Sequence, residues 1–318
     1  MSELISLQDI HSARERIRGR VSSTPLVSSA TLSARLGAQV YLKLELFQKT
    51  GSFKVRGAFN KALSIPAERR GRGLVAVSGG NHAQAVAYVA TQLALPSVIL
   101  MPEKTPRNYI EATRGYGAEV VLVENARVAF EKIGAYESQG WTSIHPFDDP
   151  LVMAGQGTVG LEIVEDLPEV TDIIASIGGG GFIGGVATAV KSLRPEARIW
   201  GVETEGADAM ARALAAGRPV HLEAITSIAR TLGAPAVSER TLELTRKYVE
   251  SVTVVPDREA VAALRFLLER AKVLAEPAAS CTLAAAERLS GRFTKDSCLV
   301  LILCGGNVAV DDLCGYKM

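Results

Sequence analysis

The order of hydrophobic segments predicts an α/β protein of two lobes, each a mainly parallel sheet with helices on both faces. Three observations carry this expectation. Short runs rich in valine, isoleucine and leucine alternate with stretches of helical period, the signature of successive βαβ units. Two glycine turns, Gly79-Gly80 and Gly178 to Gly181, each stand between a strand and a helix. With 318 residues and 47% hydrophobic content the chain can bury one large core or two modest ones, and the alternation favours two.

Taken in order, residues 7–19 read as a first helix, and Ser23-Thr24-Pro25-Leu26 as a turn into extended chain. Lys43-Leu44-Glu45-Leu46 alternates as a short strand should, and Thr50, Gly51 and Ser52 mark a turn. Beyond it Val55, Ala58, Phe59, Ala62 and Leu63 recur at helical spacing, and Pro66 with Glu68-Arg69-Arg70 marks a stop. Strands are then expected at Leu74–Ser78, Ser97–Met101, Glu119–Val123 and Thr142–Ile144, with helices starting near Asn81, Pro106 and Ala126. This block, 66–148, is expected to form a small domain, and 1–65 with 149–318 a large one. In the latter half, helices are expected through Val159–Val164, Val186–Ser192, from Ala207, and over Asp257–Lys272 and Pro277–Leu289. The strands between them are Ile173–Ile177, Ile199–Glu203, Val252–Val255 and Leu299–Cys304, and an irregular loop covers Thr226–Pro235.

Composition excludes several partners. The net charge is +1 without a basic run, which gives no electrostatic footing for nucleic acid or an anionic membrane. No stretch approaches the roughly 20 apolar residues that span a bilayer. Met1 to Arg20, interrupted by Arg14, Arg16, Arg18 and Arg20, is not a secretory signal. Cys281, Cys298, Cys304 and Cys314 lack zinc-like spacing and read as reduced thiols of a cytoplasmic protein.

Four stretches carry chemistry. Lys54 falls in the first turn of its helix, where the macrodipole disfavours an ammonium and, with desolvation, favours the neutral amine that Schiff-base chemistry needs. Gly178-Gly179-Gly180-Gly181 opens a helix and can close around a phosphate with backbone N–H groups. The same glycines fit G-x-G-x-x-G at Gly179, Gly181 and Gly184 with Glu203 about 20 residues on, so dinucleotide binding and a plain tight turn also stay open. Ser78-Gly79-Gly80-Asn81-His82 reads either as an ordinary Asn-capped turn or as a helix start where a carboxylate docks. Cys304-Gly305-Gly306-Asn307 and Glu276-Pro277 read locally as a buried thiol before a turn and as a helix start.

The string Phe47-Gln48-Lys49-Thr50-Gly51-Ser52-Phe53-Lys54 resembles the cofactor-lysine signature of the fold type II, tryptophan synthase beta-like pyridoxal phosphate (PLP) enzymes, the threonine dehydratase and serine racemase group. The resemblance runs almost the whole length of the chain. It implies PLP in the cleft between the lobes, held through an imine to Lys54, with its phosphate on Gly178, Gly179, Gly180 and Gly181. It further implies Phe53 supporting the ring, Asn81 on its 3'-oxygen, Glu276 nearby and Cys304 at the pyridine nitrogen, where relatives carry serine. Ser78, Gly79, Gly80, Asn81 and His82 would bind the substrate carboxylate.

The expected activity is α,β-elimination from a β-hydroxy-L-amino acid of the serine or threonine class, giving a 2-oxo acid and ammonia, by a homodimer. Departures from the family pattern bear on that expectation. Gly79 replaces the second acid–base serine of racemases, which favours elimination over racemisation. The position of a second carboxylate beside Glu203 in the family's cation loop reads Ala209, so no metal site is assigned. Arg230 replaces an aspartate and points to a bulkier or acidic substrate such as phenylserine or 3-hydroxyaspartate. The chain stops soon after Asn307, without room for the regulatory domain of feedback-inhibited dehydratases. A serine-type racemase, a nicotinamide-dependent oxidoreductase and a non-catalytic amino-acid-binding protein are the competing readings.

Overall fold

A computed structural model describes residues 4–66, 68 and 71–316. Arg69 and Arg70 of the expected stop lie outside the described residues, as does the beginning of the Met1 to Arg20 segment. Among the described residues ten strands form: β1 (Leu26–Ser28), β2 (Gln39–Lys43), β3 (Leu74–Val77), β4 (Ser97–Pro102), β5 (Glu119–Val123), β6 (Thr142–Ser143), β7 (Asp172–Ser176), β8 (Arg198–Thr204), β9 (Ser251–Val255) and β10 (Cys298–Ile302). They make a six-stranded sheet in the order β1-β2-β10-β7-β8-β9 and a four-stranded sheet in the order β5-β4-β3-β6. Of these pairings only β1–β2 is antiparallel, so the fold is α/β with parallel-dominated sheets.

Burial explains the composition of the central strands. Every residue of β3, β7 and β10 is buried, because helices cover both faces of each sheet, and their near-continuous apolar runs follow from that. The carboxyl ends of these three strands open toward one cavity, lined by Val77 and Ser78 at the end of β3, Ser176 and Gly178 at the end of β7, and Cys304 after β10. Ligands of open parallel sheets bind at such strand ends.

Most expected elements form within a few residues of their expected bounds, and the differences have physical causes. Of Lys43-Leu44-Glu45-Leu46 only Lys43 is in a strand, as the last residue of β2. Extended pairing ends at Lys43, opposite Leu26 and Ile302, and the chain turns through short 3-10 segments at Glu45–Phe47 and Lys49–Gly51. That turn carries the Glu45 carboxylate inward to Arg56 instead of along the sheet. The helix expected over Asp257–Lys272 stops at Phe266 and widens into a π turn, Leu267–Ala271, closed by Lys272 at φ 61°. Helices Ala30–Leu36, Glu239–Tyr248 and Val310–Gly315 are additional to the expected ones. The four cysteines are free, with Cys314 alone exposed.

The helix carrying Lys54 spans Lys54–Ser64 and crosses the long helix Pro150–Asp166. Between them Arg56 is fully buried, with Nε and Nη2 donating to the Glu45 oxygens at 2.9 and 2.8 Å. Nη1 and Nη2 of the same guanidinium donate to Glu162 at 2.6 and 2.9 Å. Buried Lys43 joins the network, its Nζ 2.7 Å from Glu162 Oε2 and 2.7 Å from the Thr24 carbonyl. Burial alone would lower the Arg56 pKa, but the two carboxylates outweigh it and hold it above its ordinary value. Burial alone would raise Glu162, but Arg56 and Lys43 hold it below. The Glu162 contribution to stability is therefore present above the pKa of an unfolded carboxylate and lost as pH falls through the lower folded value.

Arg56→Met leaves the Glu45 carboxylate buried and unpaired, so it is expected to destabilise the fold by about 3–5 kcal/mol in urea unfolding. A loss below about 1 kcal/mol would mean that the network behaves like an exposed one.

Candidate active site

A cavity of about 700 Å³ lies where the ends of β3, β7 and β10 meet the Lys54 helix. Its position follows from local chain chemistry. Ser52 pairs with Gly305 in an isolated antiparallel bridge, and the Phe53 N–H donates to the Cys304 carbonyl at 3.1 Å. The turn preceding Lys54 is thereby tied to the chain just past β10, and the first helical turn faces the cavity.

Lys54 is partly exposed to that space, and its Nζ donates to the Pro146 carbonyl at 2.8 Å. Desolvation lowers its pKa to about 8, against the smaller opposing pull of Cys304 and Glu276. Phe53 packs its ring on Phe182, centroids 4.0 Å apart, joining the lysine turn to the helix that follows the glycine loop.

The glycine loop leaves β7 through Ile177 and enters the helix Gly181–Leu193, whose first N–H groups have no intrahelical acceptor. Side chains do not fit here. A Cβ on Gly179 would lie 2.2 Å from the Phe147 ring and one on Gly181 2.4 Å from the Phe147 carbonyl, while Gly180 takes φ 88°. Only Gly178, where a Cβ would meet the Leu232 carbonyl at 3.1 Å, is less crowded. Phe147 is a site residue that the sequence did not disclose.

Ser78 to His82 connect β3 to the helix Asn81–Gln92. Ser78 Oγ accepts from the Gly80 N–H at 3.2 Å. Asn81 is committed on both sides: Nδ2 donates to Glu276 Oε1 at 2.8 Å, and Oδ1 accepts from Asn307 Nδ2 at 2.9 Å. His82 Nε2 lies 2.8 Å from the Ile144 carbonyl, to which it must donate. Desolvation, with Lys54 nearby, lowers the His82 pKa to about 3, so the ring is neutral and Nδ1 holds a free lone pair. Glu276 Oε1 also accepts from Thr231 Oγ1 at 2.9 Å, and desolvation raises its pKa to about 7. Cys304 Sγ is 3.3 Å from Ser176 Oγ, and burial raises the thiol to about 12, so it keeps its proton.

Every residue singled out from the sequence for the cofactor or substrate, from Phe53 and Lys54 to Glu276 and Cys304, lines this one cavity. Glu203 does not. Both its oxygens accept N–H donors of the next helix, from Met210 and Ala211 at 2.8 Å each, and desolvation raises its pKa to about 8. It serves as a buried helix cap there, occupied where a ribose or a cation would need it. Among the described residues no group of three or more His, Cys, Asp or Glu is arranged to hold a metal. Ser176, Thr231 and Asn307 complete the polar lattice, and each reaches its partner across more than forty residues of chain.

The chain has relatives among known proteins. The chain is similar to an L-threonine ammonia-lyase of Thermotoga maritima, 42% identical over 310 residues, covering 97% of this chain and 77% of that protein. Among solved structures, a T.th. threonine deaminase superposes with a TM-score of 0.89 at 41% identity, covering 96% of this chain and 99% of that one. A maize serine racemase superposes at 0.91 with 34% identity, covering 98% and 97%. The sequence pattern described as pyridoxal-phosphate dependent enzyme matches residues 17–305, and the chain belongs to that family.

Proposed function

We propose that the chain is a PLP-dependent ammonia-lyase that converts a β-hydroxy-L-amino acid of the serine or threonine class to a 2-oxo acid and ammonia. One observation carries the reading. An amine with a lowered pKa faces a cavity between a helix-opening glycine loop and a second helix start suited to a carboxylate. The residues fit the cofactor. Two buried atoms of the lining, His82 Nδ1 and Glu276 Oε2, have no hydrogen-bond partner among the described residues, and buried polar atoms are rarely left so.

Gly178 to Gly181 would take the cofactor phosphate on their N–H groups, and Lys54 would hold its aldehyde carbon. When bound, PLP withdraws electrons from the substrate α-carbon and acidifies its proton. Displaced by the amino group of the incoming substrate, Lys54 would be a free amine whose pKa, lowered to about 8, leaves a usable neutral fraction, and it would remove that proton. The backbone of Ser78 to His82 orients the substrate carboxylate. Asn81 Nδ2 has a second hydrogen beyond the one given to Glu276, and that hydrogen suits the 3'-oxygen. The Cys304 thiol, which keeps its proton, would offer the pyridine nitrogen only a weak hydrogen bond, which supports elimination. Loss of the β-hydroxyl with a proton releases an enamine, and its hydrolysis yields the two products.

Gly79 brings no hydroxyl, which supports elimination over racemisation. The two sheets support division into a large domain, 1–65 with 149–318, and a small one, 66–148. We further propose a cytoplasmic homodimer. The free cysteines support a reducing compartment, and Phe47, exposed beside the lysine turn, supports contact with a second copy.

Borohydride treatment of the holoenzyme is expected to fix a pyridoxyl mass on Lys54. Lys54→Ala is expected to lose both that adduct and ammonia release while its circular dichroism is unchanged, and retained turnover would refute the role. The rate at which the apoenzyme takes up PLP, followed by absorbance, should rise as pH passes through about 8, because only the neutral amine attacks. Gly180→Ala forces a side chain into φ 88° against Thr241, and its PLP dissociation constant is expected to rise about tenfold, or about 1.4 kcal/mol.

A further inference from the structure

The cavity is more basic than a serine or threonine side chain requires. Its lining includes three basic side chains, Lys54, Lys104 and Arg230, against a single carboxyl, Glu276, which already accepts from Asn81 and Thr231. Lys104 and Arg230 are exposed and so stand at the mouth. Among the described residues neither forms an ion pair or a side-chain hydrogen bond. Asp312 shares an adjoining recess with Arg230 without pairing with it.

The two loops that carry these cations meet at one turn. Lys104-Thr105 follows β4, and Arg230-Thr231 opens the 3-10 segment Arg230–Leu232. A Cβ built on Gly79 would lie 2.6 Å from Thr105 Oγ1, and one on Gly80 3.3 Å from Thr231 Cγ2. The threonines therefore flank adjacent glycines of the Ser78 to His82 turn, and the Thr105 hydroxyl occupies space that a side chain at position 79 would fill. That hydroxyl makes no side-chain hydrogen bond among the described residues and lines the cavity.

We infer that Arg230, Lys104 and the Thr105 hydroxyl form a second anion subsite, and that the preferred substrate is a β-hydroxy amino acid whose side chain ends in a carboxylate. This rests on the lyase reading and narrows its substrate. The amino acid's own carboxylate takes the Ser78 to His82 turn, and its side-chain carboxylate takes the cations at the mouth. The β-hydroxyl leaves as water, one water is regained on hydrolysis, and a 2-oxo dicarboxylate and ammonia result. The side-chain carboxylate is bound and not consumed. Arginine suits the task because its planar fork meets a carboxylate with two parallel hydrogen bonds.

Aspartate and 2-aminobutyrate, which lack a β-hydroxyl, separate binding from turnover. Calorimetry on the holoenzyme is expected to show aspartate binding at least tenfold tighter at low ionic strength, with the advantage shrinking as salt is added. Arg230→Ala is expected to abolish the advantage, and Lys104→Ala and Thr105→Val to reduce it. Arg127→Ala, which removes an outer-helix partner of Glu131, should preserve it. Equal affinities in the wild type, or an advantage that survives Arg230→Ala, overturn the subsite. Ammonia release from serine, threonine and 3-hydroxyaspartate is read separately. A working lyase without aspartate preference refutes the subsite alone, whereas aspartate-selective binding without ammonia release from any of the three refutes the lyase reading and leaves the subsite standing.

Discussion

Arg56, two residues beyond the lysine, is enclosed between Glu45 and Glu162 with its charge wholly removed from water. Two residues along a helix turn a side chain to nearly the opposite face. Fixing Arg56 against the helix Pro150–Asp166 therefore turns Lys54 toward the cavity. Buried ion pairs add little net stability over a well-packed apolar cluster, but they tolerate few alternative arrangements. In this chain the cluster joins the ends of β2, the Lys54 helix and a long core helix through directional contacts that a slip of one residue would break. The angle at which Lys54 enters the site follows from a charge network that never touches the site.

Inside the cavity the same principle works in reverse, because water is excluded without full pairing. Desolvation lowers Lys54 to about 8, lowers His82 to about 3 and raises Glu276 to about 7. Each shift favours the neutral form of its group. A lysine that readily becomes neutral is useful to nucleophilic and acid–base chemistry, whereas a solvated one is almost always protonated near neutral pH. The Asn307–Asn81–Glu276–Thr231 lattice gives Glu276 only uncharged hydrogen-bond partners and adds rigidity, and the upward pull of that carboxyl on Lys54 stays smaller than desolvation.

Much of this was legible in the sequence because the chemistry sits at strand-to-helix turns, which are local. Lys54, Gly178 to Gly181 and Ser78 to His82 announce themselves by glycine, by capping residues and by the change of hydrophobic period on either side. The parallel strands were legible for the same reason, being short apolar runs between helical ones. Phe147 and Ser176 were not, because nothing nearby in sequence distinguishes a phenylalanine that shields a glycine loop or a serine that meets a thiol across the sheet. The Lys43 to Leu46 segment misled for a related reason. Its alternation is real, but Glu45 is drawn to Arg56, and a long-range ion pair overrode a local pattern. Glu203, spaced as a ribose-binding acid would be, proves to cap the helix that follows it. Spacing identified the position and only the fold identified the partner.

The division of charge between the interior and the mouth of the cavity follows from solvent. A cation placed beside Lys54 in the interior would depress its pKa further and would itself need a partner, as Arg56 does behind the helix. At the mouth, Arg230 and Lys104 remain exposed, so they carry little desolvation cost, and water screens their effect on the lysine. Selectivity for substrate charge can thus be adjusted at the rim while the proton-transfer machinery inside stays close to neutral. On this architecture the exposed side chains of Lys104 and Arg230 can vary without touching that machinery, whereas Thr231, next to Arg230, stays tied to Glu276.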